Sequence, residues 1–371
     1  MSTLGTTNLW GGDAASHAAG KPELRVALIG CGGISSVHID GWKRLNPRAQ
    51  IVACADPIES RREERGDRIG LPKNARFPYL KDILASGIGF DAIDICASNA
   101  AHAPEAILAL DHGKHVLCEK PLAMSPQQVR DMIAARERAK NKLLMTAQHM
   151  RFENRSVRLK EYVRDGKLGE VYYGRAQFLR RRFLPGREGF IRKSISGGGP
   201  TIDIGVHILD LALHLMGYPE PVSVSGITPQ KLAKRKDVVG WWGDWDREAI
   251  DVEDFAAGFV RFSNGAALTL ECSWLANIRE PETTKITLVG TEAGCEWPEL
   301  EIFSEAAGSA TDTKLKYADD GVGGHAKEIA AFADAVLGGK PSPVPAEQSL
   351  NVIRILDGLY RSHQSGREVE V

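Results

Sequence analysis

The chain has 371 residues, 43% of them hydrophobic and 26% charged, the composition of an ordinary globular protein of about two domains. Lysine and arginine number 47 against 48 for aspartate and glutamate, a formal net charge of -1, so no basic excess points to nucleic acid or an anionic membrane as a partner. No run approaches the ~18 apolar residues of a membrane span, and six cysteines without a C-x-x-C pair indicate a reducing, cytoplasmic setting with neither disulfides nor structural zinc.

Residues 1–23, rich in Gly, Ala, Ser and Thr, read as a flexible extension. From Arg25 the pattern is that of a nucleotide-binding βαβ unit. The apolar run Arg25 to Ile29 leads into Gly30-Cys31-Gly32-Gly33-Ile34-Ser35, then a helical segment to about Leu45, then a second apolar run that ends at Asp56. Glycines at 30 and 32 let backbone N–H groups approach a pyrophosphate at a helix N-terminus. Asp56 stands about twenty residues beyond the turn, where an acid accepts from an adenosine ribose, and its charge disfavours the 2'-phosphate of NADP. Arg61 keeps NADP open, although with Arg62 it also reads as part of a solvated helix face.

The alternation continues through Ala92–Cys96, Val116–Cys118 and Leu143–Ala147, giving a six-stranded, mostly parallel sheet and an NAD-binding Rossmann domain over residues 24–149. Its ligand-binding edge carries the turns Ser98-Asn99-x-x-His102 and Glu119-Lys120-Pro121 and the end of the last strand at Gln148. Lys120, delivered at the end of a buried strand, is the first candidate for chemistry, and Pro121 is a candidate cis proline. Ser125-Pro126 has the form of an N-cap and first helical residue.

Residues 150–371 read as a second, α+β domain with antiparallel strands, Asn264-Gly265 marking a hairpin. The closing helices, about 325–337 and 346–362, are expected to pack back on the sheet or on the first domain. A helix is expected over Thr201–Met216, apolar all round except for Asp203, His207, Asp210 and His214, which fall within roughly 60° at about 100° per residue. An inward ionisable stripe requires partners or a wet cavity. His207, Asp210 and His214 have workable metal spacing, but Asp203 one turn before His207 equally suits a carboxylate holding a general base, and no metal is expected. Arg180, Arg182, Arg192 and Lys193 belong to a basic cluster before Gly197-Gly198-Gly199 that suits either solvent or an anionic substrate group, and Trp242 sits in a tryptophan-rich loop that suits either a sugar or a subunit contact.

These pieces together resemble the glucose-fructose oxidoreductase, inositol dehydrogenase and MocA family. The resemblance rests on the Gly30–Ser35 turn, Asn99-x-x-His102, Gly113–Pro121 with its Glu119-Lys120-Pro121, Arg151-Phe152, and Gly197-Gly-Gly-x-x-x-Asp203-x-Gly205-x-His207-x-x-Asp210. Ser98 stands where the family usually has proline. The resemblance implies a nicotinamide cofactor, a sugar or polyol substrate for which Arg151 is a further contact, and catalytic roles for Lys120, Asp203 and His207. It also implies a large open C-terminal sheet through which a homodimer or homotetramer forms. The expected activity is NAD-dependent oxidation of a ring hydroxyl, with His207 as base, Asp203 fixing its imidazole and Lys120 stabilising the alkoxide. Two other outcomes known among relatives are an NAD-retaining glycoside hydrolase acting through a transient 3-keto sugar, here on a sulfonate or uronate glycoside, and a silent sugar/NAD sensor.

Overall fold

The computed structural model describes residues 22–371, so the extension expected over 1–23 lies almost wholly outside the described residues. Strands β1 (Leu24–Ile29), β2 (Ala49–Ala55), β3 (Arg76–Phe77), β4 (Ala92–Ile95), β5 (His115–Glu119) and β6 (Leu144–Ala147) form a parallel sheet in the order β3-β2-β1-β4-β5-β6. Its inner strands are buried and mostly apolar because helices cover both faces, with Asp94 in β4 a buried exception. Register pairs Ile29 with Ile95 and Ile95 with Cys118, so the glycine turn, the Ser98 turn and Lys120 all emerge on one edge, where the strand order reverses. The Lys120-Pro121 peptide is cis. Ser125 Oγ accepts from Gln128 N at 3.3 Å and Pro126 opens the helix Pro126–Arg138, as the local sequence requires.

The second sheet contains β7 (Val171–Arg180), β8 (Pro221–Ile227), β9 (Phe255–Phe262), β10 (Ala267–Ser273), β11 (Glu282–Gly290), β12 (Ala293–Trp297), β13 (Glu301–Ala306), β14 (Ser309–Lys314) and β15 (Val369–Glu370). Their order is β14-β13-β12-β11-β7-β10-β9-β8-β15, antiparallel except at β7–β10. The β9–β10 hairpin turns at Asn264-Gly265, where Gly265 has φ +86. Helix Gly324–Leu337 packs on helix Ser35–Lys43, and helix Ala346–Ser365 lies on β8 and against Pro126–Arg138. All six cysteines are free and buried, and among the described residues no helix is long and apolar enough to cross a membrane.

One expected helix is two. Thr201–Gly205 is a π-helical turn and Val206–Met216 is an α-helix, closed by Gly217 at φ +85. The wider turn breaks the 100° spacing from which a single stripe was inferred. Asp210 therefore does not share a site with Asp203. It is buried in an ion pair with Arg151, whose Nε and Nη2 donate to its two carboxylate oxygens at 2.7 and 2.6 Å. Gln348 Oε1 accepts from Arg151 Nη1 at 2.7 Å, and Tyr218 bridges the same pair. Arg151 is thus a structural tie between the end of the first sheet and the helix of the second half, and not a substrate contact. His214 lies beside Tyr218 with ring centroids 6.4 Å apart, and among the described residues the groups close enough to hold a metal do not include His207, Asp210 and His214. Replacing Asp210 by alanine leaves a buried guanidinium without its counter-charge, and guanidinium chloride unfolding should register a loss of about 3–5 kcal/mol.

Candidate active site

Two cavities meet at the boundary between the sheets. The first, of about 750 Å³, is lined by Gly30, Gly32, Gly33, Ile34, Asp56, Arg61, Ser98, Asn99 and Lys120, which are nine of the residues expected to bind the dinucleotide. Gly30 has φ +91, and a Cβ there would lie 2.5 Å from Ala97 N, so only glycine permits the approach of β1 to the neighbouring turn. A Cβ on Gly32 would meet nothing within 4 Å, leaving the turn open to a ligand. Asp56 accepts from Cys31 N and Ile58 N, both at 2.8 Å, which fixes its carboxylate at the end of β2 while leaving it lone pairs for a ribose diol. This donor and acceptor set fits a nicotinamide dinucleotide. Arg65, one turn beyond Arg61 on helix Glu59–Ile69, also lines the cavity. The i, i+4 spacing from Arg61 was the available clue to it.

Three expected cofactor contacts are packed away from this surface. His102 is buried, its ring nitrogens facing Pro121 O at 2.7 Å and Ala97 O at 3.2 Å, so it braces the lysine turn. Gln148 is buried at the end of β6. Glu119 accepts from Lys120 N at 2.9 Å through one oxygen and faces His38 Nε2 at 2.9 Å through the other. Behind it, His38 Nδ1 lies 2.9 Å from Asp94, which accepts from Trp42 Nε1 at 2.7 Å. Burial opposes a charge on His38, but Asp94 raises its pKa well above the ordinary value. Burial alone would raise Glu119, yet the hydrogen bond and charge of His38 hold it down to about 2. Glu328 lies buried beside this group with neither oxygen partnered, and burial raises its pKa well above the usual carboxylate range.

The second cavity, of about 580 Å³, contains His207 and Asp203 together with Arg180, Trp242, Phe178 and Phe190. Asp203 and Phe190 line both cavities. Lys120 Nζ donates to Asp203 O at 2.9 Å and to Asp203 Oδ1 at 3.2 Å, and Trp274 Nε1 donates to Oδ2 at 3.1 Å. Asp203 therefore orients the lysine, not the imidazole. His207 Nδ1 is buried without a hydrogen-bond partner among the described residues. Its ring neighbour is His149, with centroids 4.9 Å apart, and His149 stacks on His325 at 3.9 Å. Burial, followed by the charge of Lys120, holds His207 well below the ordinary imidazole pKa, and burial likewise depresses His149 to about 3 and His325 to about 4. Burial and the neighbouring positive charge thus disfavour the protonated form of all three rings. His149 and His325 were not legible as site residues, since each belongs to an unremarkable local stretch.

The basic cluster disperses. Arg180 Nε donates to Glu282 at 2.7 Å and its guanidinium lies 4.7 Å from the Trp242 ring. Arg182 is spent on Arg181 O, Ala276 O and Asn277, Arg192 faces Glu188 at 3.9 Å, and Lys193 lies over Tyr360, all outside both cavities. Of these four cations only Arg180 reaches the second cavity.

A glycine turn at the switch point of a parallel sheet, joined to a lysine, an aspartate and a neutral histidine, defines a dinucleotide-dependent oxidoreductase. Family models for the oxidoreductase family match the chain twice, as the NAD-binding Rossmann fold over residues 24–147 and as the C-terminal alpha/beta domain over residues 160–371. The chain belongs to the glucose-fructose oxidoreductase, inositol dehydrogenase and MocA family. It is 34% identical to a D-glucoside 3-dehydrogenase of Escherichia coli K12 over 94% of this chain and 97% of that one. It is 29% identical to a myo-inositol 2-dehydrogenase of Thermotoga maritima over 66% of each chain. A crystal structure of levoglucosan dehydrogenase with NADH and levoglucosan shares the fold at TM-score 0.80 and 23% identity, covering 94% of this chain and 99% of that one.

The depressed imidazoles make stability depend on pH in a defined sense. The unfolded chain protonates His149 and His325 near the ordinary value, and the folded chain only near 3 and 4. Stability is therefore intact above about pH 6.5 and falls as the pH drops below it. Urea unfolding between pH 6.5 and 4.5 should show a slope that His325→Gln reduces by up to ~1.4 kcal/mol per pH unit. An identical slope in the variant would refute the assignment.

Proposed function

We propose that the protein oxidises a secondary ring hydroxyl of a neutral sugar, glycoside or polyol with NAD. The observation that carries this is the meeting of the two cavities at Asp203, with Lys120 on the dinucleotide side and His207 on the other. The turn from Gly30 to Ile34, Asp56 and Arg61 would hold the cofactor, and Asp56 favours NAD over NADP. Bound NAD supplies the hydride acceptor.

His207 takes the hydroxyl proton, a role that requires an unprotonated imidazole. Lys120 donates to the same oxygen as negative charge grows on it. Asp203, fixed by Trp274, sets the direction of the ammonium. The aromatic walls Phe178, Phe190 and Trp242 suit the apolar faces of a sugar. Arg180 with Glu282, and Arg155 with Glu153 at 2.7 Å, are internally neutralised pairs. They offer hydrogen bonds to hydroxyls but no spare cation for a sulfonate or uronate, so an anionic glycoside is disfavoured. Exposed Tyr172, Val222 and Ile227 on the second sheet support assembly of a homodimer or homotetramer there, and six buried thiols suit a cytoplasmic setting.

The test is NADH absorbance with a panel of neutral and anionic sugars and glycosides. Neutral members should be oxidised with net NADH formation. Aglycone release without net NADH would instead establish the redox-neutral hydrolase, and NAD binding without either would leave a sensor. His207→Ala should lower kcat about 10²–10⁴-fold without weakening NAD binding. Lys120→Ala should lower it about 10²–10³-fold, and full activity in that variant would exclude the mechanism.

A further inference from the structure

The segment Pro185–Phe190, between β7 and the π-helical turn, crosses from the second half of the chain onto the first cavity. Pro185 lines the second cavity, Arg187 and Gly189 line the first, and Phe190 lines both. The crossing is built into the packing. A Cβ on Gly186 would lie 2.5 Å from Asp244 O and 3.3 Å from Trp245 Cβ, and Trp245 is itself buried, with Nε1 donating to Ala233 O at 2.7 Å. The segment thus lies directly against a fixed loop one residue before Arg187.

Arg187 ends over the glycine turn. A Cβ placed on Gly33 would meet Arg187 Nη1 at 3.3 Å. Four cations line this cavity: Arg61, Arg65, Lys120 and Arg187. Arg65 is paired with Glu64 and donates to Ser35 Oγ, and Lys120 is held by Asp203. Arg187 makes no ion pair or side-chain hydrogen bond among the described residues. Arg61, equally unpaired, follows Asp56 on the helix that faces the ribose end. A planar cation poised over a turn whose N–H groups suit a diphosphate completes the complementarity to a dianion.

We propose that Arg187 is a binding residue for the diphosphate of the dinucleotide, so that the cofactor is gripped from both halves of the chain. Cofactor binding then also fixes Phe190, one wall of the sugar cavity, which makes sugar binding follow cofactor binding.

Equilibrium titration of the full chain, read by calorimetry with NAD, ADP-ribose, ADP and adenosine, tests this without any turnover. Arg187→Ala should weaken NAD, ADP-ribose and ADP about tenfold or more, as loss of a charge-assisted contact does, and should leave adenosine unaffected. Arg187→Lys should restore part of the loss. The sugar should bind wild type measurably tighter in the presence of ADP-ribose than without it, and Arg187→Ala should diminish that difference. Unchanged NAD affinity in Arg187→Ala overturns the proposal, including the case in which only the sugar KM rises. An equal loss for adenosine also overturns it, since the effect would then come from a damaged pocket and not from the phosphates.

Discussion

The position of Lys120 depends on a line of alternating charges sunk into the first domain. Asp94 holds His38, His38 holds Glu119, and Glu119 accepts from the backbone of Lys120, while the lysine's own Nζ reaches across to Asp203. Each group in this line would be expensive to bury alone. Together they satisfy one another, and the arrangement has few alternatives because both ring nitrogens of His38 are engaged. A charged residue in the middle of β4 is tolerated for this reason. The line fixes the lysine turn from behind, the cis Lys120-Pro121 peptide shapes it, and Asp203 receives it from the other domain. The two cavities therefore meet at one set of contacts around Lys120 and Asp203.

The substrate side is organised by neutralisation. Several arginines of this basic stretch are paired with acids, Arg180 with Glu282, Arg175 with Glu271 and Arg192 with Glu188, and Arg182 is held by carbonyl oxygens. What reaches the cavity is a set of aromatic faces and paired polar groups around a neutral imidazole. Such a lining discriminates hydroxylated rings by hydrogen bonds and face contacts more than by charge. Burial first, then the charge of Lys120 and the nearby histidines, disfavours a proton on His207, and no carboxylate partner offsets this.

Much of the first domain was legible because its rules are local. Continuous apolar runs, glycines at 30 and 32, an acid at 56 and Ser125-Pro126 each describe a backbone requirement within a few residues, and the sheet follows from their order. The expectation failed where side chains choose partners far away. Helical spacing sets Asp203, His207 and Asp210 on one face, but a π-helical turn intervenes: Asp203 is held by Trp274 and Lys120 and shares the second cavity with His207, while Asp210 is buried against Arg151. Asp94 was readable as an oddity within an apolar strand, though nothing near it in sequence named His38 as its partner.

The sequence by itself determined the order of strands, the glycine turn, the edge on which Lys120 emerges and the family to which the chain is similar, because periodicity and backbone chemistry act over short distances. Only the tertiary structure decided that Asp203 serves the lysine, that Arg151 is a buried tie, that Arg180 is paired with Glu282 and that Arg187 overlies the glycine turn. Those outcomes depend on which groups share a low-dielectric interior or a surface pair after the two domains meet. Desolvation and pairing energies there exceed any preference that residue type or spacing can express along the chain.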